Sequence, residues 1–361
     1  MGFSCRGAVV SSIARVGPGS AADFRAASRH RSRREQRGSY PDGHYRAARH
    51  RVTSHRFVGH RVTSHRGNRV KCLIAHPRHC LGVALTRLAE SRSDITFAPL
   101  ERLPDAATLA ALAPAAVIVP PLSDPGQAEP AEVYAHCDHL EALIDLCRQQ
   151  QIALIWCVSD TLFEDGADTP IDETAMPAPR DETLRRLVTA GERLRRHPRH
   201  LVLRLGPLFG LDGEDSWLGP LIAALQGGET IRSAQDLIVC PTSVSAVARA
   251  LCGILLQLDS GAGAWGTYHL CGVEPISRYT FVSVVKMQLA TRLEGVGQTA
   301  ALGELKALNQ HHDTPLRRVL DCRRLLDVFG IHQKAWRVEL GLMLDSWCQQ
   351  HYGSQEAVAE T

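Results

Sequence analysis

Short apolar runs alternate with amphipathic stretches along the chain from residue 70 onward. Five runs rich in Val, Ile and Leu are typical of strands buried on both faces of a sheet; they cover 70–75, 95–98, 116–119, 152–158 and 201–205. Four intervening stretches place apolar residues at helical spacing, over 81–91, 105–112, 132–149 and 181–196. This order predicts an α/β protein with a parallel, doubly wound sheet and right-handed crossovers.

The regular alternation ends after residue 205. Shorter and less regular strand and helix patterns follow, which predicts a second, smaller lobe at the carboxyl ends of the strands, where ligands bind in such sheets. We therefore expect one domain over 70–350, followed by a tail over 351–361. The core of this domain covers 70–205, and residues 206–350 belong mainly to the smaller lobe.

Residues 1–69 differ in composition from the rest. They hold fifteen Arg, no Lys and three acidic residues, a formal charge of +12, and because the whole chain carries +3, the remainder carries −9. The heptapeptide HRVTSHR occurs twice, at 50–56 and 60–66. Such a polar segment buries too little apolar surface to offset its ordering entropy, so we expect a disordered extension. The alternatives are a nucleic-acid arm, a transit peptide, a His-rich metal tract, or a true start at Val70.

The cysteines are scattered, with no Cys-x-x-Cys pair and no Cys/His spacing of a metal site. This pattern indicates reduced thiols in core positions and a cytoplasmic protein rather than disulfides or zinc. No apolar run reaches the length that a bilayer requires, so no membrane span is predicted. We expect neither a bound metal nor a membrane or nucleic-acid partner for the domain.

A series of motifs links these segments to a known family. They are WCVSDTLFEDG at 156–166, Gly191-Glu192, LRLGPLFG at 203–210, Asp236 with Pro241-Thr242, GTYHLCG at 266–272 and PLRRVLDCRRL at 315–325. In this order they resemble dTDP-4-dehydrorhamnose reductases, which are extended short-chain dehydrogenases. The regulatory beta subunit of methionine adenosyltransferase is similar in the same places, so the resemblance extends to proteins without catalysis.

The resemblance implies an NAD(P)-binding Rossmann-like fold, NADP(H) or NAD(H) as cofactor, and a dTDP-sugar or related nucleotide as ligand. It also implies a hydroxyl at Ser159 that hydrogen-bonds the substrate oxygen, followed by Asp160. The substrate residues implied in the same way are Phe163, Asp236, Pro241 and Thr242. For most of these positions a helix cap or a turn is an alternative interpretation.

Two positions depart from the family in a decisive way. Counting back from Gly191-Glu192, Leu184 stands where the family has its proton-transferring Tyr, and Val188 stands where it has Lys one helical turn later. None of the six Tyr in the chain is followed four residues later by Lys, so a shifted alignment does not restore the pair. Neither Leu nor Val can carry a proton.

The loop after the first strand departs as well. The family has Gly-x-x-Gly-x-x-Gly here, but this chain has AHPRHCLG at 75–82, in which only Gly82 matches. Pro77 lacks an amide donor, whereas Arg78 and His79 offer side chains that contact phosphate in other proteins. The sequence therefore leaves NADP(H) or NAD(H) binding open, with Gly82, Arg78 and His79 as the candidate residues.

These departures favour a nucleotide-sugar-binding protein that has lost reductase chemistry. One alternative is an active NADPH-dependent reductase or epimerase of a dTDP-sugar, in which His136 or His76 supplies the proton. A second alternative is a regulatory or scaffold subunit that binds a protein partner without nucleotide.

Overall fold

Strands and helices alternate through the first half of the chain, as the pattern predicts. The computed structural model describes residues 69–122, 128–298, 301–310 and 315–353. The elements of the core are β1 (Val70–Ala75), α1 (Cys80–Glu90), β2 (Ile95–Leu100), α2 (Ala106–Leu112), β3 (Ala116–Val119), α3 (Pro130–Gln149), β4 (Ala153–Ser159), a 3₁₀ helix (Asp160–Leu162), α4 (Glu182–Leu194) and β5 (His200–Leu205).

Thirteen further elements follow in the described residues, and three of them return to the core. They are β6 (Leu208–Phe209), α5 (Leu218–Gln226), β7 (Ile231–Ala234), β8 (Leu237–Val239), β9 (Thr242–Ser243), α6 (Val244–Asp259), β10 (Gly266–Leu270), β11 (Ile276–Ser277), α7 (Arg278–Gly295), β12 (Leu305–Leu308), β13 (Leu316–Arg318), α8 (Arg323–Phe329) and α9 (Trp336–Tyr352). The returning elements are α6, β10 and α8, so the part after residue 205 supplies both lobe and core.

A six-stranded sheet in the order β10-β5-β4-β3-β1-β2 forms the centre of the molecule. Every neighbouring pair in it is parallel, and the doubly wound α/β fold predicted from the sequence is therefore confirmed. One face packs against α1, α6 and α8, and the other packs against α2, α3 and α4. Because both faces are covered, the strands consist mainly of apolar residues.

The lobe has its own apolar core. Helices α5, α7 and α9 pack around Phe209 and Ile231, which belong to β6 and β7. Its sheets are small: β6 pairs with β9, β7 with β12, and β8 with both β11 and β13. Local signals start the long helices, since Ser243 and Ser277 accept amide hydrogen bonds at the N-termini of α6 and α7.

Two predictions from composition can be compared with the described residues. All ten cysteines in that part of the chain are free and buried, which confirms their core positions. Within the same residues, no helix is both long and apolar enough to cross a bilayer. The predicted Arg-rich extension, its alternatives and most of the tail lie outside the described residues.

Helix α4 sits close to the sheet because it has a glycine at the contact. A Cβ on Gly191 would lie 2.8 Å from Cζ3 of Trp156, the fully buried indole of β4. Gly191 was aligned with the family's Gly-Glu motif, and in this fold the motif permits close packing of helix on sheet.

We predict that Gly191→Ala destabilises the protein although Ala is the better helix former. Displacing the rigid indole costs about 1–3 kcal/mol, which exceeds the roughly 1 kcal/mol gained in helix propensity. The measurement is the free energy of unfolding in urea. Gly253 in α6 is the matched control, since a Cβ there would lie 3.8 Å from Ile331 and meet only ordinary contact. Gly253→Ala should stabilise; equal effects at both positions would contradict the packing argument.

Candidate functional site

The ligand edge of the sheet lies at the carboxyl ends of β1 and β3. The chain passes from β1 to β2 on one side and then crosses to β3 on the other side, which creates a crevice between the connecting segments. A cavity of about 230 Å³ opens at this edge. It is lined by residues 76–79 after β1, residues 100–103 at the end of β2, His139 of α3 and Glu214.

The amides of His79, Cys80 and Leu81 at the start of α1 are bonded within the chain. The N–H of His79 donates to His76 O (3.0 Å), that of Cys80 donates to Asp215 Oδ1 (2.6 Å), and that of Leu81 donates to Nδ1 of His79 (3.0 Å). In dinucleotide-binding sheets these amides face the pyrophosphate. Pro77 adds no donor. The residues present therefore do not fit a pyrophosphate at this helix.

Asp215 contacts the helix start through both carboxylate oxygens. Its Oδ2 accepts a hydrogen bond from the Cys80 thiol (3.1 Å) and lies 3.0 Å from Nε2 of His79. Burial by itself would raise the pKa of Asp215, but the contacts with His79 and Cys80 outweigh it and hold that pKa well below its usual value. Burial and the neighbouring carboxylate raise the pKa of the Cys80 thiol. The carboxylate is thus ionised beside a neutral thiol.

His79, Cys80 and Asp215 also place three metal-binding donor atoms within 4.8 Å of one another. The hydrogen bond from Leu81 occupies the lone pair on Nδ1 of His79, which puts the proton of the neutral ring on Nε2. Nε2 is the nitrogen that faces Asp215, so it has no lone pair for a metal in this arrangement. The group is a hydrogen-bonded helix cap.

The three candidate cofactor residues take different positions. His79 is the N-cap of α1, and Gly82 is buried against the loop, where a Cβ would lie 2.6 Å from Pro77 O. Arg78 points outward and pairs with Glu214 at 2.9 Å, with 72% of its side chain exposed. Each side chain has a role within the fold, and contact of any of them with a cofactor stays a prediction.

Ser159 and Asp160 lie at the carboxyl end of β4, on the ligand edge. Ser159 Oγ accepts a hydrogen bond from Thr161 N (3.2 Å) and caps the 3₁₀ helix, and it also donates to Asp160 Oδ1 (3.4 Å). The Asp160 side chain is buried. This geometry matches the helix-cap alternative, and a catalytic role stays a prediction.

Leu184 and Val188 lie on the face of α4 that packs on the sheet. Leu184 is only 4% exposed and belongs to the apolar cluster shared by α3, α4 and β4; Val188 is half-buried against the same cluster. Asp181 fixes the helix start by accepting a hydrogen bond from Leu184 N (3.0 Å). Aliphatic side chains thus occupy both positions that align with the proton-transferring Tyr and the Lys of the family.

The predicted substrate residues do not form one polar surface. Phe163 and Cys240 share a small buried cluster near the end of β10, and Pro241 and Thr242 follow Cys240 in the chain. Thr242 Oγ1 donates to Cys240 O (2.9 Å) and accepts from Gly272 N (3.2 Å), so its hydroxyl holds two loops together. Asp236 is buried in the turn between β7 and β8, where its carbonyl accepts a hydrogen bond from Leu316. Sugar contact by these residues stays a prediction.

Sequence reasoning missed a buried polar group at the end of β5. Arg204 and His269 are register partners on β5 and β10, and Arg204 Nη1 lies 3.2 Å from Nε2 of His269 and donates to Ala175 O (3.1 Å). Its guanidinium also lies over the Phe163 ring, 5.1 Å from the centroid. Burial lowers the pKa of Arg204 to about 10 and that of His269 to about 4. The sequence feature that could have revealed this buried group is the single Arg inside the otherwise apolar run LVLRL at 201–205.

Three histidines meet beside the cavity. His76 follows β1, and its ring stacks on His136 of α3 with centroids 5.7 Å apart and lies 5.2 Å from His139. His76 has a φ of 53°, and in the 76, 79, 82 spacing it stands where the family's first glycine supplies that conformation. Burial, reinforced by the neighbouring histidines, lowers the pKa of His136 to about 3, and the pKa of His76 falls for the same reasons.

These features define a class of protein and then a family. The described strands run in the doubly wound order 2-1-3-4-5, extended by β10, and this sheet and its ligand edge are those of a Rossmann-like fold with a second lobe. The family model of the RmlD substrate binding domain matches residues 125–348, more than half of the chain. The chain therefore belongs to the RmlD substrate binding domain family. No curated protein matches the sequence at a significant level.

Solved structures agree with this assignment. A dTDP-4-dehydrorhamnose reductase from Bacillus anthracis, in complex with NADP, is 15% identical, with a TM-score of 0.62 over 77% of this chain and 100% of that chain. The orthologous reductase from Clostridium acetobutylicum is 16% identical, with a TM-score of 0.61 over 77% and 99%. A dTDP-glucose 4,6-dehydratase from Streptomyces venezuelae, with NAD bound, is 15% identical, with a TM-score of 0.60 over 80% and 99%. At these identities the likeness shows the fold.

We predict that the histidine cluster makes the protein sensitive to acid. Because the folded pKa of His136 lies near 3 and its ordinary value is 6.5, the unfolded state binds the proton first as the pH falls. Stability present above pH 6.5 is then lost toward pH 3, by up to about 1.4 kcal/mol per pH unit for each such histidine. Urea unfolding between pH 8 and about pH 5 measures the slope.

His136→Leu removes one of the groups that take up a proton on unfolding, so the free energy of unfolding should depend less steeply on pH. His332, which is exposed in the loop between α8 and α9, provides the matched control. His332→Leu should keep the wild-type slope. A slope that is unchanged in His136→Leu would show that other groups cause the acid sensitivity.

Proposed function

We propose that this chain is a nucleotide-sugar-binding protein of the RmlD substrate binding domain family that does not transfer a hydride. The observation that carries the proposal is the burial of Leu184 in the apolar core, with Val188 beside it. General acid–base catalysis needs a titratable group within hydrogen-bond reach of the substrate oxygen. Two aliphatic side chains supply neither the proton nor a charge to shift its pKa.

The cofactor side of the crevice supports the same proposal. The amides of residues 79–81 are bonded within the chain, and the ligand edge lacks the glycine loop that lets backbone approach a pyrophosphate. Reductases of this family act with a nicotinamide cofactor. A chain that lacks both the proton pair and an open pyrophosphate position has lost two independent parts of that chemistry.

The proposed ligand class comes from the relatives and from the cavity at the ligand edge. The similar structures are named as enzymes of dTDP-sugars, and binding of such a nucleotide-sugar is what we propose for this chain. The cavity is lined by Arg78 and Arg102, whose side chains suit a phosphate group. Imidazole and acidic side chains in the same lining suit the hydroxyls and amides of a sugar and a base.

A ligand titration coupled to an activity assay tests this function on the full chain. A dTDP-sugar at about 100 times its dissociation constant should raise the free energy of unfolding by about 2.7 kcal/mol, whereas the free sugar should not. NADPH should not be oxidised when dTDP-4-dehydrorhamnose is added. NADPH oxidation would establish the active-enzyme alternative, and no stabilisation by any nucleotide would leave the regulatory or scaffold alternative.

We predict that restoring the family's pair does not restore activity. In the double variant Leu184→Tyr, Val188→Lys, a phenol must enter a packed core position, at a cost of about 1–3 kcal/mol. The cofactor position stays filled, so NADPH oxidation with dTDP-4-dehydrorhamnose should remain at background. The measurement is initial rate together with the melting temperature, which separates an inactive folded variant from an unfolded one. Turnover by the folded double variant would refute the prediction.

A further inference from the structure

A segment from the lobe lies directly against the first turn of α1. It consists of residues 211–216, which follow β6. Glu214 N donates to Arg78 O (3.0 Å), and Gly213, at a φ of 110°, packs so closely that a Cβ would lie 2.5 Å from both N and Cα of Cys80. Ser216 Oγ donates to Gly210 O (2.7 Å) and closes the segment on itself. Backbone therefore touches backbone at this place, and no space remains for a phosphate.

The group that segment 211–216 presents to α1 is an anion. Asp215 Oδ1 accepts the hydrogen bond of Cys80 N (2.6 Å), and Oδ2 accepts that of the Cys80 thiol (3.1 Å). The positive end of the helix dipole favours a negative charge here. His79 already provides the ordinary side-chain cap through Leu81 N, so Asp215 is a second acceptor, 135 residues away in sequence from the amide it binds.

The ion pairs around Asp215 are too exposed to hold the segment. Arg78 pairs with Glu214 (2.9 Å) and Arg87 with Asp212 (2.6 Å), and at least half of each of these four side chains is exposed. Exposed pairs contribute little to stability. Only 17% of the Asp215 side chain is exposed, and 8% of the His79 side chain. The attachment of the segment therefore depends on Asp215, on the hydrogen bond from Glu214 N to Arg78 O, and on the close fit of Gly213.

We propose that Asp215 is a built-in substitute for the pyrophosphate of a dinucleotide. Segment 211–216 of the same chain occupies the position of the pyrophosphate. The Asp215 carboxylate thus supplies the negative charge at the start of α1 when no cofactor is bound. A dinucleotide can reach the helix only when this segment lifts away. The inference concerns the cofactor position at the start of α1 and does not require that a nucleotide-sugar binds.

Inorganic pyrophosphate is the probe, and the melting temperature of the full chain is the readout. The wild-type melting temperature should respond to pyrophosphate less strongly than that of the Asp215 variants. Asp215→Ala should melt at a lower temperature, because the start of α1 loses its anion, and pyrophosphate should restore part of the loss in a saturable manner. NADPH in place of pyrophosphate should follow the same order of response among the variants.

Two further variants make the result decisive. Asp212→Ala, an exposed acidic neighbour in the same segment that pairs with Arg87, is the matched control and should behave as wild type. Asp215→Asn keeps an oxygen acceptor for Cys80 N but removes the charge, so it should fold and respond to pyrophosphate even if Asp215→Ala does not fold. The proposal is overturned if wild type responds as strongly as the Asp215 variants, or if the folded Asp215 variants do not respond.

Discussion

The structure depends on the burial of a parallel sheet on both of its faces. Strands covered on each side by helices carry no polar pattern of their own, so polar groups concentrate at the strand ends and at the helix starts. In this chain the carboxyl edge is also where α1 begins and where the lobe returns. Each polar group at that edge needs a partner within the chain, in water or in a ligand, and for the amides of Cys80 and Leu81 that partner lies within the chain.

This principle explains how the fold accommodates residues that differ from those of the family at the strand ends and helix starts. Leu184 and Val188 extend the apolar face of α4, so the helix packs without a catalytic pair, and Gly191 still admits the indole of Trp156. At α1, Asp215 and His79 satisfy the helix start. The packing that defines the family does not require the groups that define its activity.

The fold could be predicted from local sequence patterns, whereas the site depends on contacts between residues that are far apart in the sequence. The bounds predicted from periodicity for the core strands and helices agree with the observed bounds to within two residues. This was possible because hydrophobic periodicity depends only on residues that are close in sequence. Counting from Gly191 placed Leu184 in α4 correctly. The contact between Cys80 and Asp215 joins residues 135 positions apart, and that between Arg204 and His269 follows from strand register. No spacing rule in one sequence encodes such pairs.

The buried thiol of Cys80 reports when the contact between segment 211–216 and the start of α1 opens locally. Its sulfur is covered while it donates to Asp215, and the remaining nine described cysteines are buried in the core or the lobe. A thiol reagent reaches Cys80 when segment 211–216 separates from α1, but it reaches a core position such as Cys157 only on wider unfolding. The relative labelling rates of the two cysteines therefore give the free-energy difference between these openings, with no introduced probe.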